Sequence, residues 1–354
     1  MKLIYIILAL LLFGFLIFIH ELGHYIFARL FKVTVNEFSI GMGKSIIKKR
    51  SEKTGILYSL RVLPIGGYVS MAGESEETDD PNALNNKPAW QRLIIISAGA
   101  IINLLFGILL MLVVVISTSS SGIFTNTVYG YNPSAQYEVV SDEYGILPGD
   151  TIIKVNGTTT FNAYDLKYEI MRKGTEPIDL TVERDGTVIV LPDVKFPVHE
   201  ENGIKVGMMD FIIYSKPATV TGILSNTLQR SYLTVRMVWE SLFDLISGRY
   251  SIDSVSGPVG ITATIVGAAD DAVKVRNFSG VFYITAIICI NLGVMNLLPI
   301  PALDGGRLFF VLIELIFRRP VPSKIENAIH AFGMYFLLLF MLFISLKDIF
   351  GIFF

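Results

Sequence analysis

Four stretches of this chain are apolar enough and long enough to cross a bilayer: residues 3–31, 93–117, 281–303 and 331 to the C-terminus. About 20 apolar residues wound as a helix cover the roughly 30 Å of a hydrocarbon core. The first stretch carries no charge between Lys2 and Glu21. It begins as a secretory signal does, but no small-residue cleavage site follows, so it is expected to stay in place as a helix. Residues 55–70 read as strand, Pro/Gly turn and strand, a re-entrant or interfacial hairpin beside the first helix. From 122 to 210 the pattern changes to short apolar-rich runs at 151–155, 178–182 and 188–191, separated by Asn156-Gly157 and Asp185-Gly186, with a short helix at 164–172. Leu224, Leu228, Tyr232, Val235, Trp239, Leu242 and Ile246 then recur at helical spacing. They predict an amphipathic helix over 221–247, which lies on the outer membrane surface, covers the entrance to a site, or simply packs.

The fold class is therefore a polytopic α-helical membrane protein: four transmembrane helices, a membrane-associated β-hairpin and an inserted extracytoplasmic mixed α/β domain. The expected divisions are 1–117 (two spans and the hairpin), 122–210 (inserted domain), 211–278 (amphipathic helix and linker) and 279–354 (two further spans). Composition agrees, with 52% hydrophobic and 17% charged residues, against about 25% charged in an average soluble domain. A net charge of −2 leaves no footprint for nucleic acid. The single cysteine, Cys289, excludes an internal disulfide and reads as a small packing residue. Ten Lys or Arg fall between Arg29 and Arg92, and Arg318, Arg319 and Lys324 sit between the last two spans, which assigns both segments to the cytoplasm. Residues 118–196 hold six Lys or Arg against eleven Asp or Glu and belong outside, as do both termini. The acidic run from Glu74 to Asp80 reads as a mobile cytoplasmic loop.

His20-Glu21-Leu22-Gly23-His24 lies inside the first span. Two histidines four residues apart project from one helix face, suited to zinc, with Glu21 alongside to activate water. Ionisable groups in hydrocarbon are expensive and mark function by default. A hydrolytic zinc site needs a third protein ligand and an open position. The broken stretch from Asn296 to Gly306, with Pro299, Pro301, Gly305 and Gly306, offers Asp304. An Asp before Gly-Gly can also be a plain turn or helix cap. Glu314 reads as a boundary or packing residue, His199 as surface, and His330 as a membrane-boundary residue.

On these residues the chain resembles the site-2 protease family of intramembrane zinc metalloproteases, in its bacterial RseP-like branch. His20 to His24 match the family's zinc motif, and Asn296 to Gly306 its Asn-x-x-Pro-x-Pro-x-x-Asp-Gly motif. Further matches are Gly41-Met42-Gly43, Leu63 to Val69 and Ser256 to Gly260; Met42 stands where the family usually has Phe. The resemblance implies that His20, His24 and Asp304 bind zinc, that Glu21 is the general base and proton shuttle, and that Asn296 helps hold substrate. Gly41, Gly43, Gly66, Gly67 and Tyr68 are further candidate substrate-binding residues. The hairpin's free edge can take an unwound substrate by strand addition, or the hairpin merely tethers two helices. Tyr144 to Asp150 followed by Thr151 to Gly157 resembles the core of a PDZ domain, either a ligand-binding module or a steric filter.

The family implies a protein of the bacterial cytoplasmic membrane that cuts single-span membrane proteins already trimmed by another protease, anti-sigma factors and leftover signal peptides among them. Its partners are then such substrates and the lipid bilayer. Two other classes compete. A non-proteolytic adaptor with a structural metal should show a fourth protein ligand, and an ordinary membrane-anchored zincin should carry its histidines in a soluble domain.

Overall fold

The structure is a computed structural model and describes residues 2–74, 78–131, 139–201, 204–249, 255 and 257–353. Residues 75–77 of the acidic run, and Ser256, lie outside the described residues. Two compact units emerge, one built from residues 1–110 and 237–354, the other from 111–236.

In the first unit, α1 (Lys2–Leu30) leads into β1 (Val35–Arg50) and β2 (Leu57–Met71), followed by α2 (Ala89–Thr118). The sheet differs from the predicted hairpin. Residues 57–60 and 67–71 are indeed strand, but they do not pair with each other. Residues 35–40 lie between them, pairing Ile40 with Gly67 on one side and with Leu60 on the other, while 45–50 pair with 57–61 at the far edge. Each long strand folds back on itself: β1 bends at Gly41 and Gly43, with φ of 85° and 87°, and β2 at Gly66, with φ of 87°. A Cβ on Gly41 would lie 2.4 Å from the Leu63 carbonyl oxygen, so only glycine allows the two bends to nest. Val33, Val35, Phe38, Ile56, Val69 and Met71 bury themselves with Ala28 of α1 and Ile95 of α2, which fixes the sheet beside the first helix.

Helices α1 and α2 meet backbone to backbone, since a Cβ on Gly23 would sit 2.6 Å from the Ala98 carbonyl oxygen. Small residues allow such contacts where lipid supplies no hydrophobic drive between helices. Helix α6 (Ser279–Leu297) approaches α2 in the same way, with Gly293 against the Ala100 carbonyl. Four helices among the described residues are long and apolar enough to cross a membrane: Ile4–Leu30, Ala89–Ser121, Ser279–Leu297 and Ser323–Gly351. The third span ends at Leu297, earlier than the apolar pattern alone predicts, because Pro299 and Pro301 follow. The chain resumes as α7 (Asp304–Phe317) and then α8 (Ser323–Phe353).

The second unit carries β3 (Ile123–Tyr131), β4 (Thr151–Val155), β5 (Thr158–Thr159), α3 (Ala163–Lys173), β6 (Ile178–Arg184), β7 (Thr187–Val194), β8 (Val198–Glu201), β9 (Ile204–Gly207) and β10 (Phe211–Lys216). Its main sheet runs β10-β3-β4-β6-β7. The two dipeptides predicted as turns hold positive φ at both positions, 44° and 77° at Asn156-Gly157, 49° and 78° at Asp185-Gly186. Ile152, Leu166, Leu180 and Val182 are fully buried in its core, each contributing about 1.5–3 kcal/mol. Helix α4 (Val220–Ile246) follows. Its apolar stripe faces outward at Leu224, Leu228, Tyr232, Trp239 and Ile246, while Asn226, Thr227, Arg230 and Ser231 are buried. Within this unit Arg230 stacks on Tyr164 at 4.0 Å and Arg236 bonds Glu169 at 2.5 Å. The packing face of this part of the helix is thus polar, the reverse of a plain core helix.

Where a linker is expected, residues Pro258–Val275 form α5, which packs against α1, α6 and α8. Its N-terminus has no cap of its own at Gly257; instead Asp348 of α8 accepts hydrogen bonds from the N–H groups of Gly257 and Gly260, at 2.9 and 2.8 Å. A carboxylate there satisfies orphan donors and complements the helix dipole. Asp348→Ala should therefore destabilise the first unit by about 1–2 kcal/mol. Asp348→Asn should keep most of the loss at bay, and thermal unfolding in detergent distinguishes the pair; equal melting of Ala and parent proteins would remove the cap.

Candidate metal centre

His20 and His24 lie one helical turn apart on α1, both buried, with rings 4.8 Å apart. The break between α6 and α7 places Asp304 against them. Asp304 Oδ2 is 2.9 Å from His20 Nε2 and 3.2 Å from His24 Nε2, and the two Nε2 atoms are 3.2 Å apart. Oδ2 is buried and makes no well-angled hydrogen bond despite those distances. With the two Nε2 atoms it forms a compact triangle of possible ligand atoms. Zinc held at about 2.0–2.2 Å by tetrahedral ligands separates them by roughly 3.3–3.6 Å. The triangle needs to open by only a few tenths of an ångström, so the three side chains fit the ion. No further His, Cys, Asp or Glu joins the group among the described residues.

Several local features hold this arrangement. His24 Nδ1 donates to the Ile95 carbonyl at 2.9 Å, which leaves Nε2 free to ligate. Gly99 of α2 abuts both rings, and a Cβ there would lie 2.5 Å from His24 Nε2. The turn before Asp304 is tight: Gly305 sits where a Cβ would be 2.0 Å from the Leu298 carbonyl oxygen, and Ala302 takes a φ of 77°. His330, expected at the membrane boundary, instead accepts the Ala302 N–H at Nδ1, 3.0 Å away, and so braces the segment carrying Asp304. Glu314, expected as a boundary or packing residue, is ion-paired with Arg92, and Arg307 with Glu74.

Glu21, Tyr68, Val69, His24, Asp304 and His330 line one cavity of about 430 Å³. Glu21 Oε2 accepts the Val69 N–H at 3.1 Å, so the β2 edge is docked onto the candidate base. Gly67 lies against the Glu21 side chain, where a Cβ would be 3.6 Å from its Cγ. The Tyr68 hydroxyl meets Arg61, which also pairs with Glu37 at 2.8 Å. Gly66 packs under Met42. Gly41 and Gly43 shape the bend of β1 and do not line the cavity. The Asn296 amide lies 3.4 Å from His20 Nδ1. Sequence reasoning missed Asn103, whose amide also lies 3.4 Å from that atom; the signal was the single carboxamide within the apolar run 93–117.

A model of peptidase family M50 matches residues 8–340. The chain belongs to peptidase family M50. This M50 chain is 36% identical over 344 residues to a Clostridium acetobutylicum protein named for zinc metalloprotease activity, covering 97% of each. A Helicobacter pylori protein of similar name is 32% identical, with 96% of this chain and 97% of the relative covered. The regulator of sigma-W protease RasP of Bacillus subtilis is 27% identical over 430 residues, 97% of this chain and 98% of RasP. The M50 protein is a zinc metallopeptidase of the site-2 protease type and a multi-pass membrane protein.

Proposed function

We propose that this protein is an intramembrane endopeptidase in which His20, His24 and Asp304 hold zinc and Glu21 is the base. The convergence of three ligand atoms from opposite ends of the chain carries this reading, together with the lack of a fourth protein ligand among the described residues. A structural metal in an adaptor protein would be closed by four. The position of the histidines inside an apolar helix argues against a zincin working in bulk water.

Zinc supplies electrophilic polarisation of the scissile carbonyl and acidification of water when bound there. Glu21, in the cavity between His24 and Val69, takes the proton of the attacking water and later delivers it to the departing amine. A transmembrane helix hides its carbonyls in internal hydrogen bonds, so the substrate must be held extended to be cut. Residues 67–71 form an edge of the sheet next to Glu21 and can bond such a segment by strand addition. Asn296 helps hold it.

The substrates are single-span membrane proteins shortened by a first protease, anti-sigma factors and signal-peptide remnants, in line with the name carried by RasP. The second unit is a PDZ-like extracytoplasmic domain that selects trimmed substrates by capture or by size. The basic segments between spans support a cytoplasmic-membrane orientation with both termini outside. Purified protein should cut a pre-trimmed single-span substrate in detergent, lose activity on zinc chelation and regain it on zinc addition. Undiminished cutting of the chelated, metal-free protein would overturn the proposal.

A further inference from the structure

Asn103 is fully buried near the middle of α2. A carboxamide there is cut off from bulk water and needs partners within the protein. Gly107 and Gly293 bring α2 and α6 into close contact on either side, with a Gly293 Cβ position 2.9 Å from the Ala100 carbonyl oxygen. Cys289 Sγ donates to the Asn103 main-chain oxygen at 3.1 Å, tying the helices at this level. Among the described residues, Asn103 Nδ2 is 3.4 Å from His20 Nδ1, while Oδ1 is buried with no hydrogen-bond partner.

His20 faces the metal position with Nε2, which is 2.9 Å from Asp304 Oδ2. An imidazole that gives Nε2 to a metal carries its remaining proton on Nδ1, and that N–H needs an acceptor. His24 already has one in the Ile95 carbonyl. His20 meets two amides, Asn103 and Asn296, at 3.4 Å each. Asn103 places its amide 3.4 Å from Nδ1, and the amide oxygen is the kind of acceptor that an Nδ1–H requires. A half-turn of the amide, which changes no packing volume, presents the unpartnered Oδ1 to Nδ1–H.

We propose that Asn103 is the positioning residue that sets the tautomer and orientation of His20, accepting the Nδ1–H of the imidazole that turns Nε2 toward the metal position. This rests on His20 being a ligand, as proposed above. Asn296 is left to the substrate.

The test measures zinc affinity by chelator competition in purified, full-length protein. Asn103→Leu, similar in volume and unable to accept, should weaken zinc binding about 10- to 100-fold. Asn103→Asp, which accepts through either oxygen, should bind at least as tightly as the parent. Asn296→Ala should change affinity little. Cobalt-substituted parent protein adds a readout independent of any variant's folding: two exchangeable imidazole N–H resonances shifted by the metal, of which Asn103→Asp moves one. Parent-like affinity in Asn103→Leu, equal losses in Leu and Asp variants, or a single such resonance in the parent would overturn the inference. His20→Ala is the separate control: if it keeps zinc, the ligand set itself is wrong, whereas its loss of zinc alongside an unaffected Asn103→Leu refutes only the role of Asn103.

Discussion

Glu21→Gln should abolish measurable cleavage, with a loss on the order of 10²–10⁴-fold or more in the single-turnover rate, while zinc content stays that of the parent. The substitution keeps an oxygen to accept the Val69 N–H, now 3.1 Å from Glu21 Oε2. The β2 edge therefore remains docked, and the amide fills the same part of the cavity. What disappears is the capacity to take a proton from water and return it to the amine. Glu21 is not one of the three converging ligand side chains, so metal retention and catalysis should separate cleanly. Rate and zinc stoichiometry measured on the same preparation decide the matter. Cutting at the parental rate would move the base elsewhere, and loss of zinc would put Glu21 among the ligands.

The candidate centre is legible in residue types at fixed spacing as far as its histidines go, because one helix turn puts His20 and His24 on the same face whatever surrounds them. The two Pro and two Gly around Asp304 likewise announce a break in the third span, and the structure ends α6 at Leu297 and restarts at Asp304. What escaped the pattern depends on tertiary neighbours. β1 was not legible since its bends at Gly41 and Gly43 interrupt the alternation, and Lys48, Lys49 and Arg50 give its end the look of a loop. The insertion of 35–40 between 57–60 and 67–71 is a long-range pairing that no local signal encodes. Helix α5 has an apolar sequence, but its start is capped from a residue on α8. His330 and Glu314 look like boundary residues in one dimension; only packing puts the first on the turn before Asp304 and the second on Arg92. Nor does the apolar stripe of α4 reveal that the polar face is the one that packs.

Gly99→Ala should cost the protein its zinc with little change in its folding. Alanine favours a helix over glycine by about 1 kcal/mol, so α2 itself gains. The added methyl, however, has nowhere to go. Its carbon would lie 2.5 Å from His24 Nε2, 2.8 Å from His20 Cε1 and 2.9 Å from His20 Nε2. Neither ring can yield easily: His24 is tethered through Nδ1 to the Ile95 carbonyl, and His20 has two amides behind its Nδ1. Backbone retreat is blocked as well, since Gly23 already touches the Ala98 carbonyl from α1. The methyl is thus aimed at the two nitrogens proposed to face the ion, and a displacement of about 1 Å is enough to ruin a metal site, whose ligands must hold within about 0.5 Å. Zinc content should fall by at least about tenfold, in line with losses from disturbing residues that orient ligands, and cleavage should fall with it. Gly130, where a Cβ meets nothing within 4 Å among the described residues, supplies the control as Gly130→Ala. Full zinc occupancy in Gly99→Ala would mean that the imidazoles point away from the place where they converge here.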